Sequence, residues 1–285
     1  MTQSQKYPME LFDETLDINA TENYDLSLEL SEDGLSLAVL DLLRGKYVLL
    51  RHYPIDIHGN NAPRSHAEII GSDDFLRKHF RKVFIITPSP HFTLVPSAVF
   101  DPSLRDDYFR FSHSTRPDTR ITVNNLPFPG AAVLFAPDRE VSEAASSRWP
   151  GVTPWHHTKP LLQHISAACR SSEDRHIHLH YEKSFITLII AEKRSLAFCN
   201  SFICPDASDA GYYLFSVLES RGIKSDESIH LSGTVEPYSE AHLAILNYAE
   251  NVKFASPLIR QGFSYVMHDT AHHRWLNLFT AASCE

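Results

Sequence analysis

Residues 26–55 read Leu26-Ser27-Leu28-Glu29-Leu30, then Ser31-Glu32-Asp33-Gly34, then Leu35-Ser36-Leu37-Ala38-Val39-Leu40, then, after a turn around Arg44-Gly45-Lys46, Tyr47-Val48-Leu49-Leu50-Arg51-His52-Tyr53. Apolar residues recur at every second position in the first two runs, the period of a half-buried strand. Turns this short join only antiparallel neighbours, so the stretch predicts a three-stranded meander. The pattern returns about 150 residues later: Ile177 to Tyr181, a turn at Glu182-Lys183, Phe185 to Ile190, a turn at Glu192 to Arg194, and Leu196 to Phe202. Each meander is followed by a helical pattern and then a further apolar strand. A βββαβ unit used twice decides the fold class as α/β.

The rest of the chain arranges itself around these units. Ser72-Asp73-Asp74 carries an N-cap signal, which predicts a helix over residues 75–82 before the apolar strand at Val83 to Ile86. Residues 93–100 read as an edge strand because of Pro96. Residues 101–118 are charged and aromatic; strands follow at 120–125 and 131–136, then a short helix from Pro137 to Arg148 and a helix from Pro160 to Arg170. In the second unit, helices are expected at 207–221, with Gly222 just past its end, and at 237–251. Strands are expected at 228–232 and 252–254. Residues 257–285 show no clear pattern.

The net charge of −9 is concentrated at the start: nine acidic residues against Lys6 within residues 1–33 account for −8 of it. Residues 1–24 therefore read as an acidic tail, which could also dock a basic partner. A nearly neutral body lacks the basic footprint that nucleic acid requires. No apolar run approaches the roughly 20 residues of a spanning helix, and no secretory signal is visible, so no membrane insertion is expected. Four cysteines without C-x-x-C spacing fit a reducing, cytoplasmic compartment.

Two βββαβα domains with mixed sheets, and an αβ insertion at about 104–158 in the first, resemble the actin-like ATPase (ribonuclease H-like) fold of actin, sugar kinases and heat-shock chaperones. The insertion looks like that of the bacterial scaffold branch. With the run 93–100 and the Trp/His-rich end closing in Leu278-Phe279 and Cys284-Glu285, the chain is similar to domain-of-unknown-function family 3822, uncharacterised bacterial proteins of that fold. The resemblance implies a tail at 1–24, a first domain at 25–170 and a second at 171–285. It also implies ATP with magnesium between the domains: an Asp after the first strand, Gly and Ser or Thr beside the phosphates, the same again in the second domain, and a Gly-Gly after its fourth strand. The matching positions are Asp33, Gly34 and Ser36, then Lys183 and Ser184, then Ser232, Gly233 and Thr234. Asp33-Gly34 is equally what a plain hairpin turn uses. Lys183 stands where a metal-binding carboxylate is expected, and Gly233 is a single glycine. Phosphoryl transfer needs many positioned groups, so a degenerate pseudo-ATPase without catalytic residues, acting as a scaffold or adaptor for an unknown protein partner, is the expected reading. The alternative is an ATP-binding switch, ATPase or kinase-like enzyme with drifted motifs.

Outside that resemblance, His176, His178 and His180 share a strand face but spread too far along it to converge on one metal, so no metal site is expected. Trp149, Trp155, His156 and His157, set beside Pro150 and Pro154, suggest a partner-binding ridge; the alternative is that Trp covers the join of insertion and core.

Overall fold

The structure is a computed structural model; it describes residues 9–55, 65–171, 174–224 and 226–284. The first meander forms β2 (Tyr24–Ser31), β3 (Gly34–Asp41) and β4 (Lys46–Pro54), preceded by β1 (Met9–Phe12). Then come α1 (His66–Ser72), β5 (Lys82–Thr87), β6 (Phe92–Pro96), α2 (Arg105–Ser112), β7 (Thr122–Leu126), β8 (Ala131–Phe135), α3 (Arg139–Arg148), β9 (Trp155–His156) and α4 (Thr158–Ser171). The second meander is β10 (His176–Tyr181), β11 (Phe185–Glu192) and β12 (Ser195–Ile203). It is followed by α5 (Ala207–Ser220), β13 (Ile229–Gly233), α6 (Glu240–Leu246), β14 (Val252–Phe254), β15 (Gly262–Phe263) and α7 (Leu276–Ala281).

Both meanders feed the same topology. The first sheet runs β1-β4-β3-β2-β5-β9, with β15 beside β4, and the second runs β12-β11-β10-β13-β14. In each, the meander is antiparallel and its first strand takes a parallel neighbour, β5 on β2 and β13 on β10. Helices α1 and α3 cover one face of the first sheet, burying Ile69, Ile70, Val141 and Ala145 against Leu26, Leu28, Leu35 and Leu37. Its other face meets α7, where Leu278 and Phe279 pack on Leu40, Tyr47 and Leu50. β2 is therefore buried on both faces rather than one. Helices α5 and α6 cover the second sheet through Leu214, Leu218 and Ile245. α5 ends with Gly222 at φ 64°, and Ile223 N donates to Leu218 O, the glycine-terminated helix end that the sequence predicts.

A third sheet, β6-β8-β7, is inserted in sequence between β5 and β9 and is capped by Phe109 of α2. Its first strand pairs Phe92–Pro96 with Ala131–Phe135, so the insertion opens near residue 92 rather than 104. A pairing that spans about 40 residues has no local sequence signature.

Three other expectations are corrected. Residues 9–24 are not a tail: β1 pairs with β4, Leu16 is buried, and Asp13 Oδ2 accepts from Lys46 Nζ at 2.7 Å and Ser264 Oγ at 2.5 Å. Residues 1–8 of the expected tail lie outside the described residues. No helix covers 75–82; the helix is α1, upstream, capped by Ser65, whose Oγ accepts from Glu68 N at 3.2 Å. Asp73 ends that helix, and its Oδ1 accepts from Phe75 N and Leu76 N, holding a turn instead of starting a helix. The helix at 237–251 is shorter, Glu240–Leu246.

Candidate functional site

Where the two sheets face each other, the turns after β2 and β10 meet residues leading into and along α7. Asp33 accepts from Ser31 Oγ at 2.5 Å and lies 3.7 Å from Arg274 Nη2. Arg274 Nη1 reaches Glu236 beyond β13 at 3.5 Å, so one guanidinium bridges the two halves. His273 Nε2 contacts Val235 O at 2.9 Å on the second half, while Tyr47 Oη donates to Phe279 O at 2.6 Å on the first. Residues 273–279 thus form the seam.

The second turn corrects the sequence reading at its central residue. Lys183 is exposed, whereas Glu182 is 9% exposed and points into the seam. Glu182 Oε1 lies 3.0 Å from His180 Nε2; His180 Nδ1 lies 2.8 Å from Ser232 Oγ; His178 Nε2 lies 2.7 Å from the same oxygen. Asn277 Nδ2 approaches His180 Nε2 at 3.4 Å from α7. Burial, then the charges of Asp33 and Glu32, raise the Glu182 carboxyl well above its usual range. Burial lowers His180 to about 4. Both shifts favour the neutral pair, and in that state the Glu182 acid donates to His180, His180 Nδ1–H to Ser232, and the Ser232 hydroxyl to His178. His178 is left with a buried Nδ1 that has no partner.

Glu29, across the seam on β2, is the second acid, a half-buried residue with one carboxyl oxygen sealed from solvent. Burial and the nearby Glu182 raise it to about 8, against the opposing influence of His180 and Asn277, and its Oε2 has no partner among the described residues.

The remaining predicted residues serve the chain itself. Ser36 Oγ is 2.9 Å from His52 Nδ1. Gly34 (φ 154°) and Gly233 (φ 84°) are glycines because an added Cβ would overlap the carbonyl oxygens of Tyr53 and Tyr181. Thr234 N donates to Tyr181 O at 3.0 Å, and Ser184 O accepts from Cys204 N at 2.9 Å. The glycines are required by the protein's own backbone, and their Cβ side faces carbonyls rather than open space.

Trp149, Trp155, His156 and His157 do not form a ridge. Trp149 is buried in the first core, and both histidines are fully buried. His156 N donates to Asn124 Oδ1 of the third sheet at 2.7 Å, and His157 Nε2 lies 2.8 Å from Thr187 Oγ1 of β11. They join insertion, first sheet and second sheet. Trp155, half-buried, packs on Phe84 at 5.1 Å between ring centres. Among the described residues no group of three or more His, Cys, Asp or Glu could hold a metal, and no helix is long and apolar enough to cross a membrane.

Magnesium nucleotide, which the resemblance implies here, does not fit these residues. Magnesium takes ionised oxygens in a near-octahedral shell. Glu29 and Glu182 favour their protonated forms. Asp33 is already engaged by Ser31 and Arg274, and Lys183 faces solvent.

Sequence reading placed His180 on a shared strand face and Glu182 in a turn without joining them, and missed Glu29, Arg274 and Asn277. The polar alternation of β2 was a usable signal: Asp25, Ser27, Glu29 and Ser31 would face solvent only if nothing covered that face.

A family model described as "Protein of unknown function (DUF3822)" matches residues 13–252. Among solved structures, a Bacteroides thetaiotaomicron protein with an actin-like ATPase fold and unknown function is 21% identical, with a TM-score of 0.75 over 85% of this chain and 94% of that one. The PilM-PilN type IV pilus biogenesis complex contains a chain 14% identical, with a TM-score of 0.59 over 91% of this chain and 97% of that one. At these identities the likeness shows the fold, which is actin-like. No curated protein matches the sequence.

Proposed function

Since the chain belongs to the DUF3822 family and carries an actin-like ATPase fold, we propose that it is a non-catalytic scaffold or adaptor on a degenerate form of that fold. One observation carries the reading: the seam between the sheets is filled by a hydrogen-bond chain, Glu182–His180–Ser232–His178, with Asn277 against it, in which burial favours the uncharged forms of Glu182, Glu29 and His180. A phosphoryl-transfer site instead needs ionised groups holding a cation against the developing charge. The neighbour found in a PilM-PilN complex supports the partner-binding side of the reading, because there a chain of this fold is part of an assembly.

Thermal melting with and without Mg-ATP tests it. No shift and no ATP turnover are expected. A ligand at a hundredfold excess over its Kd adds about 2.7 kcal/mol of stability. A shift of that size, or Mg-dependent turnover lost in Asp33→Asn and Glu182→Gln, overturns the reading in favour of an ATP-dependent switch or enzyme.

A further inference from the structure

The outer edge of β5 is only partly paired. On its inner side Lys82–Ile86 run parallel to Asp25–Glu29, but on its outer side β9 takes up only Ile86 and Thr87. Immediately before β9 the chain passes through Pro150, Gly151 (φ 83°) and Pro154. Proline donates no hydrogen bond to a neighbouring strand, and this segment stands off from β5. The gap is an open groove of about 590 Å³ between residues 78–84 and 148–155.

Its chemistry is one-sided. Lys78, His79, Arg81, Lys82 and Arg148 line it, with no carboxylate among the described lining residues, in a protein whose net charge is −9; Arg81 is neutralised by Asp25, so Lys78 and Arg148 set the sign of the groove. Arg148 is fixed by donating to Leu76 O at 2.7 Å and Lys78 O at 2.8 Å, so its charge is presented on backbone carbonyls. Phe84 and Trp155 supply an apolar wall. Trp149 also lines the groove, 6% exposed, and its indole N–H has no partner among the described residues.

We propose that this groove binds an acidic, extended polypeptide segment of a partner protein, which adds as a strand to the outer edge of β5. Residues 82–85 offer about 13 Å of edge at the ordinary rise of a strand. In such an addition, main-chain bonds supply affinity and alternate side chains supply specificity. Acidic side chains meet Lys78 and Arg148, and apolar ones, on the other face of the added strand, meet Trp155 and Phe84. The proposal rests on the adaptor reading and gives its partner a chemistry.

The test is selection of random linear 12-residue peptides displayed on phage against the immobilised full chain. Expected are enriched sequences that alternate Asp or Glu with aromatic or β-branched residues. Synthetic copies should bind at least tenfold more weakly to Lys78→Glu and to Thr153→Trp, which fills the groove from an exposed position; both variants are checked for unchanged melting. Recovery of no groove-dependent peptide, enrichment without acidic bias, or binding that survives both variants overturns the proposal. So does displacement of the peptides by a dT12 oligonucleotide that itself depends on Lys78. The Mg-ATP melt reports on the adaptor reading alone, so the two failures are distinguishable.

Discussion

Glu29 keeps its proton in the folded chain to about pH 8, while in the unfolded chain it loses it near the ordinary value of 4.5. Between those values the folded state binds more protons, so this group makes stability fall as pH rises through the window. Glu29→Gln cannot titrate. Urea unfolding should find it more stable than wild type at pH 8 and little different at pH 4.5; an identical pH slope in both proteins would remove Glu29 from the account. The neighbouring error, Lys183 for Glu182, has a physical origin. Alternation assigns faces along a strand, but a tight turn resets the direction of the chain. Glu182 N bonds to Phe185 O across the turn, and its side chain is carried inward. Asp33 and Gly34 were legible as a turn pair; that their Cβ and carboxylate space is taken by Tyr53, Ser31 and Arg274 depends on residues distant in sequence.

Elements fail and hold for local reasons too. β13 ends at Gly233, and the chain turns back there with φ 84° directly beside the Tyr181 carbonyl. Gly233→Ala both strains the backbone and forces two strands apart. A loss of about 3 kcal/mol or more is expected, a fall of roughly 6–10 °C in Tm; differential scanning calorimetry showing a shift under 2 °C would contradict the close approach described. Ser239 Oγ accepts from His242 N at 3.3 Å to cap α6, and Ser239→Ala should cost about 1 kcal/mol, read in the same scans. The meander strands were legible because their alternation is long and uninterrupted. α1 was not, since Ser72-Asp73-Asp74 has the composition of a helix start while Asp73 closes a helix. Composition at a helix end does not reveal on which side the helix lies. β1 was hidden for a different reason: its acidity reads as solvation, whereas Glu10 pairs with Arg51.

At the scale of the whole molecule, burial holds five histidines neutral: His156 at about 3, His164 and His180 at about 4, and His157 and His178 well below the ordinary 6.5. The unfolded chain takes up these protons below pH 6.5 and the folded one does not. Stability is therefore intact above 6.5 and lost as pH falls beneath it. Each proton is worth about 1.4 kcal/mol per pH unit, so five together can exhaust an ordinary stability of about 5–15 kcal/mol within roughly two units. Acid unfolding followed by tryptophan fluorescence should have its midpoint between about pH 4.5 and 6 and a slope of several protons; a fold intact at pH 3.5 would show that these rings are not sealed. The two-sheet plan was readable because each sheet is built from one continuous stretch. The seam was not, since it is assembled from β2, β10, β13 and α7, which no window of sequence contains.

The seam also sets an order of events during synthesis. Both sheets are complete by residue 254, apart from the two-residue β15, yet Arg274, Asn277 and Phe279, which lock them together, emerge from the ribosome after both. Domains fold as units from the N-terminal side as the chain appears. Until α7 docks, the chain can hold two formed sheets while the seam around Glu29 is incomplete. Docking of α7 then completes the surroundings that raise Glu29 to about 8, so closure of the molecule is itself a proton-uptake step, slower in alkaline surroundings than in neutral ones.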